Sequence, residues 1–83
     1  MNDRAIVEFE IVNREFRVDL EIPLNITANE LIFALNNAYE LGIDTTDVKK
    51  SYLKAEKPIA LLKGNRLISE YGVRNGTIIF FDE

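Results

Sequence analysis

One segment of this chain, residues 27–42, has the periodicity of an α-helix over several turns, and no other segment sustains it. Its apolar residues recur at three- and four-residue intervals, which gives a helix one apolar stripe. The stripe consists of Leu31, Ala34, Leu35, Ala38 and Tyr39. Thr27 and Glu30 have the spacing of a capping box, and Gly42 stands where a left-handed residue commonly ends a helix. The sequence therefore predicts one helix over residues 28–41.

The other segments alternate between apolar and polar residues in short runs, which is the period of a half-buried β-strand. Residues 6–11 and 15–22 alternate on either side of Asn13 and Arg14, which predicts an antiparallel hairpin. Arg14 is a poor second residue for a type I′ turn, so a longer loop or a bulge remains open. Three shorter strands are expected after the helix. They span residues 52–55, 59–62 and 77–81.

The predicted order of elements is β-β-α-β-β-β, which belongs to the α+β class. A single helix has to cover one face of a mixed sheet, because no other element is long enough to bury its apolar stripe. This is the β-grasp arrangement. The crossover through the helix returns the chain to its first strand, so the first and last strands are expected to pair in parallel in the middle of the sheet. A chain of 83 residues is expected to form a single domain over residues 1–83.

The chain lacks most of the side chains on which enzymes depend. The chain has no Cys and no His, so it lacks thiolate nucleophiles, the usual zinc ligands and the commonest general base. Asp44 and Asp47 are close in sequence, but capping in a solvated loop is a commoner role for such a pair than metal binding. Ser51 and Ser69 would need a Lys or a carboxylate as their base. We expect no enzymatic activity, no cofactor and no metal.

The net charge of −4 is unevenly distributed along the chain. Residues 1–44 carry nine acidic and three basic residues, whereas residues 45–83 carry five acidic and seven basic residues. An acidic chain repels phosphate backbones, so no nucleic-acid partner is expected. Six of the bases lie close together in sequence and form either a solvated face or a basic surface for an acidic partner. They are Lys49, Lys50, Lys54, Lys57, Lys63 and Arg66.

Neither a signal peptide nor a membrane span is indicated by the sequence. The N-terminus enters an alternating pattern at once, and the longest apolar runs are far shorter than the ~20 residues that cross a bilayer. We expect a cytoplasmic protein without direct membrane insertion.

Three segments resemble sequences of one bacterial family. They are the capped helix start at residues 27–31, residues 52–54 with the hairpin and Gly64 that follow, and residues 67–76. The third is similar, almost position for position, to the leucine-serine-acidic-x-glycine-aliphatic-x-asparagine-glycine run of the ubiquitin-like YukD/EsaB-like proteins of type VII secretion systems. Ser69, Glu70 and Tyr71 also resemble residues of ubiquitin.

The resemblance implies a ubiquitin-like, non-catalytic protein-interaction module. Its role would be that of an accessory or regulatory component of a WXG100/ESX-like secretion system in a Gram-positive bacterium. The partner implied is a protein, either a membrane-embedded component or the motor ATPase of that machine. Such a partner would recruit the chain to the inner face of the membrane.

The end of the chain bears on a different function. Ubiquitin-like modifiers and sulfur carriers react through a flexible tail that ends in Gly-Gly, whereas this sequence ends Phe80-Phe81-Asp82-Glu83, directly after a predicted strand that includes both phenylalanines. The sequence therefore predicts a non-conjugating protein. Two alternatives remain open. One is a modifier or sulfur carrier made from a longer precursor, and the other is an adaptor domain of a larger protein.

The last strand suggests where a partner binds. The family pattern places Ile79 and Phe81 toward the helix, so alternation turns the side chains of Ile78 and Phe80 to the solvent-facing side. If the strand after the helix pairs with the last strand, two of its side chains join them. The candidate surface for partner binding or self-association consists of Tyr52, Lys54, Ile78 and Phe80. A loop or a longer strand that covers the two apolar residues remains the alternative.

Overall fold

The computed structural model describes residues 3–82. Its elements in chain order are β1 (Arg4–Ile11), a 3₁₀ turn (Val12–Arg14), β2 (Phe16–Pro23), α1 (Ala28–Tyr39), β3 (Leu53–Glu56), β4 (Ala60–Leu62), a second 3₁₀ turn (Ile68–Tyr71) and β5 (Ile78–Phe81). The five strands form one sheet in the order β2-β1-β5-β3-β4. The pair of β1 and β5 is parallel and the other pairs are antiparallel. This confirms the predicted order of elements and the predicted central pair.

The hairpin of β1 and β2 has a longer connection than a two-residue turn. The chain makes one 3₁₀ turn over Val12–Arg14 and then places Glu15 in the left-handed region at φ 50°. This outcome agrees with the alternative of a longer loop. Strand β2 consequently starts at Phe16, one residue later than predicted.

Helix α1 begins where the sequence predicts. The backbone N–H of Glu30 donates to Thr27 Oγ1 at 3.0 Å, and the backbone N–H of Thr27 donates to Glu30 Oε1 at 2.8 Å. Each side chain thus satisfies a backbone donor that the first turn leaves without a partner. The capping box is confirmed.

The helix ends at Tyr39, so the prediction that it continues to residue 41 and is capped by Gly42 is wrong. Glu40 already adopts the left-handed conformation, at φ 52°. The guanidinium of Arg14 explains the earlier end, because Nη1 and Nη2 donate to the carbonyl oxygens of Tyr39 and Glu40 at 2.7 Å each. Asn36 then holds the following turn by bonding both the N–H and the carbonyl of Ile43.

The buried stripe of α1 also differs from the predicted one. Ala34 and Ala38, which were expected to face the sheet, are exposed. The buried residues of the helix are Ala28, Leu31, Ile32 and Leu35. Turning Ile32 inward removes more apolar surface from water than turning either alanine inward, and burial of apolar area is the main source of stability.

The core lies between α1 and the inner face of the central strands. Its fully or nearly fully buried strand residues include Val7, Phe9, Leu53, Ala55 and Ile79. The inward direction predicted for Leu53, Ala55 and Ile79 is confirmed, whereas Phe81 is only half-buried. At the edge, β2 is less covered, and Phe16 is 38% exposed. A single helix cannot cover the full width of five strands, which leaves the edge strands partly open.

Within residues 3–82, the longest helix is the 12-residue α1. This is shorter than the ~20 residues that a bilayer crossing requires, and no described helix is a candidate membrane span.

Candidate interaction surface

The face of the sheet away from α1 is formed by alternate residues of the five strands. The register of the strands places Phe80 between Glu10 of β1 and Lys54 of β3. Ile78 lies in the next row, between Glu8 and Glu56. We call this side the outer face.

Ile78 and Phe80 stand at the centre of the outer face. Both are half-buried, while Ile79 between them is 1% exposed and lies in the core. Directly opposite residues on neighbouring strands have Cβ atoms only ~4.5–5.5 Å apart, so the charged side chains beside them are near enough to contribute to this cover. The structure therefore brings Lys54, Ile78 and Phe80 together, as the register argument requires.

Tyr52 occupies a different position from the other three candidate residues. It precedes β3, which begins at Leu53, and therefore does not pair with β5 as a strand residue. Its half-buried side chain instead lines a groove of about 380 Å³ whose walls include Lys54 and Phe80. Lys54 is held at this groove by an ion pair with Asp82, with 3.2 Å between Nζ and Oδ2.

Carboxylates dominate the side of the outer face formed by β1 and β2. Arg17 lies between two of them, with its Nε 3.8 Å from Glu8 and 3.9 Å from Glu10. Hydrogen bonding with the Glu8 carboxyl and partial burial raise the pKa of Glu10 above its usual value, and the charge of Arg17 opposes the rise. Asp19 stands opposite Glu8 on β2. The apolar centre is thus bordered by an acidic region on one side.

Several residues of this surface are absent from the sequence-based candidate set. Leu61 of β4 pairs with Lys54 and is 44% exposed, so it extends the apolar part of the outer face. Glu8 and Glu10 border Ile78 and Phe80 from β1. Alternation within β1 gives the direction of these two glutamates, but only the parallel register with β5 gives their neighbours.

The loop after α1 has the structural role expected from the sequence. The carboxylate of Asp44 accepts hydrogen bonds from the backbone N–H and the hydroxyl of Thr46, and these bonds lower the pKa of Asp44. Asp47 accepts a bond from the backbone N–H of Lys49. Both aspartates therefore cap their own loop.

The segment from residue 67 to residue 76 shapes the other end of the sheet. Glu70 accepts a hydrogen bond from the backbone N–H of Leu67, and the Tyr71 hydroxyl donates to the carbonyl of Lys63. Asn75 accepts from the backbone N–H of Ile6 at the start of β1. These contacts tie the turn to β1 and to the loop after β4, which accounts for the distinctive run of residue types here.

Comparison with known structures supports the description of the fold. The ubiquitin-like domain of tubulin-binding cofactor B superposes with a TM-score of 0.76 at 18% identity, and the match covers 100% of this chain and 92% of that one. The C-terminal ubiquitin-like domain of mouse tubulin-specific chaperone e gives a TM-score of 0.70 at 14% identity, covering 96% of this chain and 86% of that one. At such identities the likeness establishes a ubiquitin-like fold.

Comparison at the level of sequence places the chain in a family. No curated protein gives a significant match to it. The family model described as "WXG100 protein secretion system (Wss), protein YukD" matches residues 6–80. This range covers the five strands except for the first two residues of β1 and the last residue of β5. The match also includes the four residues of the candidate surface. The chain belongs to the YukD family of proteins associated with the WXG100 secretion system.

Proposed function

We propose that this chain is a non-catalytic, cytoplasmic protein-binding component of a bacterial type VII secretion system, and that it binds its partner through the outer face of the sheet. Residues 1–83 act as one ubiquitin-like unit in this account. The partner is a membrane-embedded component or the ATPase of the secretion machine, and its binding recruits the chain to the membrane.

The observation that carries this proposal is the placement of Phe80 and Ile78 on the open face of the sheet. An aromatic residue at the centre of a polar rim is a common arrangement in protein interfaces, where a few aromatic residues supply much of the binding energy. The polar rim here includes Glu8, Glu10, Lys54 and Glu56. The YukD family match supports the secretion system as the setting.

Site-specific photocrosslinking in a host that carries the secretion system tests the proposal. A benzophenone amino acid incorporated in place of Phe80 is expected to crosslink to a component of the secretion machine. The matched control is incorporation in place of Phe33, an aromatic residue that is 57% exposed on α1, on the opposite side of the sheet. Equal crosslinking from both positions, or crosslinking from the control position alone, would reject the outer face as the binding surface.

A further inference from the structure

Lys49 lies at the boundary of two grooves on the side of the molecule beside β3. The first groove, of about 380 Å³, is also lined by Lys50 and Lys54. The second, of about 410 Å³, is also lined by Lys63 and Arg66. Five of the six bases that cluster in the sequence therefore converge on one region, which we call the basic groove. The sixth, Lys57, lines neither of its two parts.

The bases of the basic groove outnumber its carboxylates, because Asp44 and Asp82 line the first part and no carboxylate lines the second. Lys54 is paired with Asp82. Among residues 3–82, the ammonium groups of Lys49, Lys50 and Lys63 form no ion pair. Unpaired cations around a concave surface attract anionic groups, because the low-dielectric walls focus the field into the groove.

The basic groove also offers apolar surface. Val48 lines the second part and is 81% exposed, and Tyr52 and Phe80 form part of the wall of the first. A ligand that matches both features carries negative charge together with apolar side chains.

We infer that the basic groove binds an acidic peptide segment of a protein partner, with an apolar side chain of that segment against Tyr52 and Phe80. The inference deepens the proposed function and rests on it, because the first part of the groove continues from the outer face at Lys54 and Phe80. It assigns Lys49, Lys50 and Lys63 as the residues that select for acidic sequence.

A peptide fits these features better than a lipid surface or a nucleic acid. The unpaired lysines surround concave grooves, whereas a bilayer contacts flat or convex surfaces. The chain as a whole carries a net charge of −4, which opposes approach to an anionic membrane or to a phosphate backbone. A flexible acidic segment can enter the groove while the rest of its protein avoids the acidic side of this molecule.

Nuclear magnetic resonance titration of the purified chain tests the inference. The probe is the synthetic peptide acetyl-Glu-Glu-Phe-Glu-Glu-Leu-Glu-amide, and the matched probe has lysine in place of every glutamate. The acidic peptide should cause saturable chemical-shift changes at the backbone amides of Lys49, Lys50, Tyr52 and Lys63. The lysine peptide should cause none. Binding should weaken steeply between about 50 mM and about 500 mM salt, because exposed charges are screened over shorter distances at high salt.

Two charge-reversal variants distinguish binding in the basic groove from a general effect of net charge. Lys49→Glu should weaken binding of the acidic peptide about tenfold or more, because this side chain lines both parts of the groove. Lys57→Glu makes the same change of net charge outside the groove and should alter binding less than about twofold. Equal losses in the two variants would mean that only the net charge matters and would overturn the inference.

Three other results would also overturn it. They are the absence of saturable shifts, shifts confined to other residues, and tighter binding to phosphatidylserine vesicles or to duplex DNA than to the acidic peptide. The assay uses only the purified chain and a synthetic peptide, so its failure leaves the crosslinking result at Phe80 to stand by itself. Conversely, a failed crosslink at Phe80 would leave peptide binding at Lys49 unaffected.

Discussion

At the scale of single residues, Arg14 joins the hairpin to the helix. Its guanidinium donates to two carbonyl oxygens at the C-terminal end of α1, where backbone acceptors lack partners and the helix dipole favours a cation. The residue looks like a poor turn former in the sequence. Its presence in the turn is explained by this contact with a segment 25 residues away.

Removing the Arg14 guanidinium should therefore destabilise the fold. We expect Arg14→Ala to lower the free energy of unfolding by ~1.5–3 kcal/mol, because two hydrogen bonds from a charged donor are lost. The stability of Arg14→Lys should lie between those of the parent and of Arg14→Ala. Lysine keeps the charge but lacks the planar fork of two N–H donors. Urea denaturation measures the difference.

Arg17→Ala is the matched control for this change. Within residues 3–82, Arg17 forms two ion pairs from a 70% exposed side chain, at 3.8 Å and 3.9 Å, and such surface pairs contribute ~0–1 kcal/mol. If Arg14→Ala and Arg17→Ala unfold at the same urea concentration, the helix end is not held by Arg14.

The second prediction at this scale concerns the pH dependence of Glu10. A carboxyl whose pKa is raised by folding binds its proton more readily in the folded state, so stability rises as the pH falls through the folded-state pKa. Glu10→Gln carries no ionisable proton. It should be more stable than the parent at about pH 7, and its advantage should shrink as the pH falls through the raised pKa of Glu10, where the carboxyl of the parent becomes protonated.

Urea denaturation of both proteins at several pH values measures this difference. An advantage of Glu10→Gln that grows as the pH falls would have the wrong sign and would contradict the account of the Glu8 and Glu10 pair.

At the scale of elements, the face that α1 turns to the sheet decides the core. Ile32 is 0% exposed, and its sequence neighbour Phe33 is 57% exposed. Truncating a fully buried isoleucine removes apolar contacts and leaves a cavity, so Ile32→Ala should lower the free energy of unfolding by ~2–5 kcal/mol. Phe33→Ala should change it by less than ~1 kcal/mol. The reverse order in a denaturation experiment would mean that the helix is rotated about its axis.

The same helix shows what the sequence could predict. Its start depends on residues three positions apart, Thr27 and Glu30, and local spacing was sufficient. Its end depends on Arg14, which is distant in sequence, so the local signal at Gly42 was misleading. The choice of Ala34 and Ala38 for the stripe failed for a related reason, because periodicity alone does not decide between overlapping faces of one helix.

For the strands too, local patterns predict some features, and pairing between distant segments determines the others. Alternation is local, and it gave the outward direction of Ile78, Phe80 and Lys54. Leu61 and Glu10 were not assigned to the outer face, since their neighbours are set by pairing between segments far apart in the chain. Alternation over residues 52–55 predicts that Tyr52 starts a strand, whereas β3 begins one residue later.

At the scale of the whole molecule, charge is separated across the outer face. Carboxylates of β1 and β2 lie on one side of Phe80, and the lysines of the basic groove lie on the other, where Glu56 of β3 adds one carboxylate beside Ile78. On the proposed function, such a surface would orient a partner as well as bind it, because reversing the partner would bring like charges together. The apolar centre therefore has a different charge on each side, which would favour one orientation of a bound partner.

The central claim is that Phe80 acts in partner binding in addition to its part in the sheet. The most direct test is secretion of the WXG100 substrates by a strain that lacks this gene and is complemented with the parent, with Phe80→Ala or with Phe33→Ala. We predict that Phe80→Ala loses secretion while its purified form remains folded, with a loss of ~1–3 kcal/mol because the side chain is half-buried, and that Phe33→Ala secretes normally. A Phe80→Ala protein that is folded and supports full secretion would contradict the account.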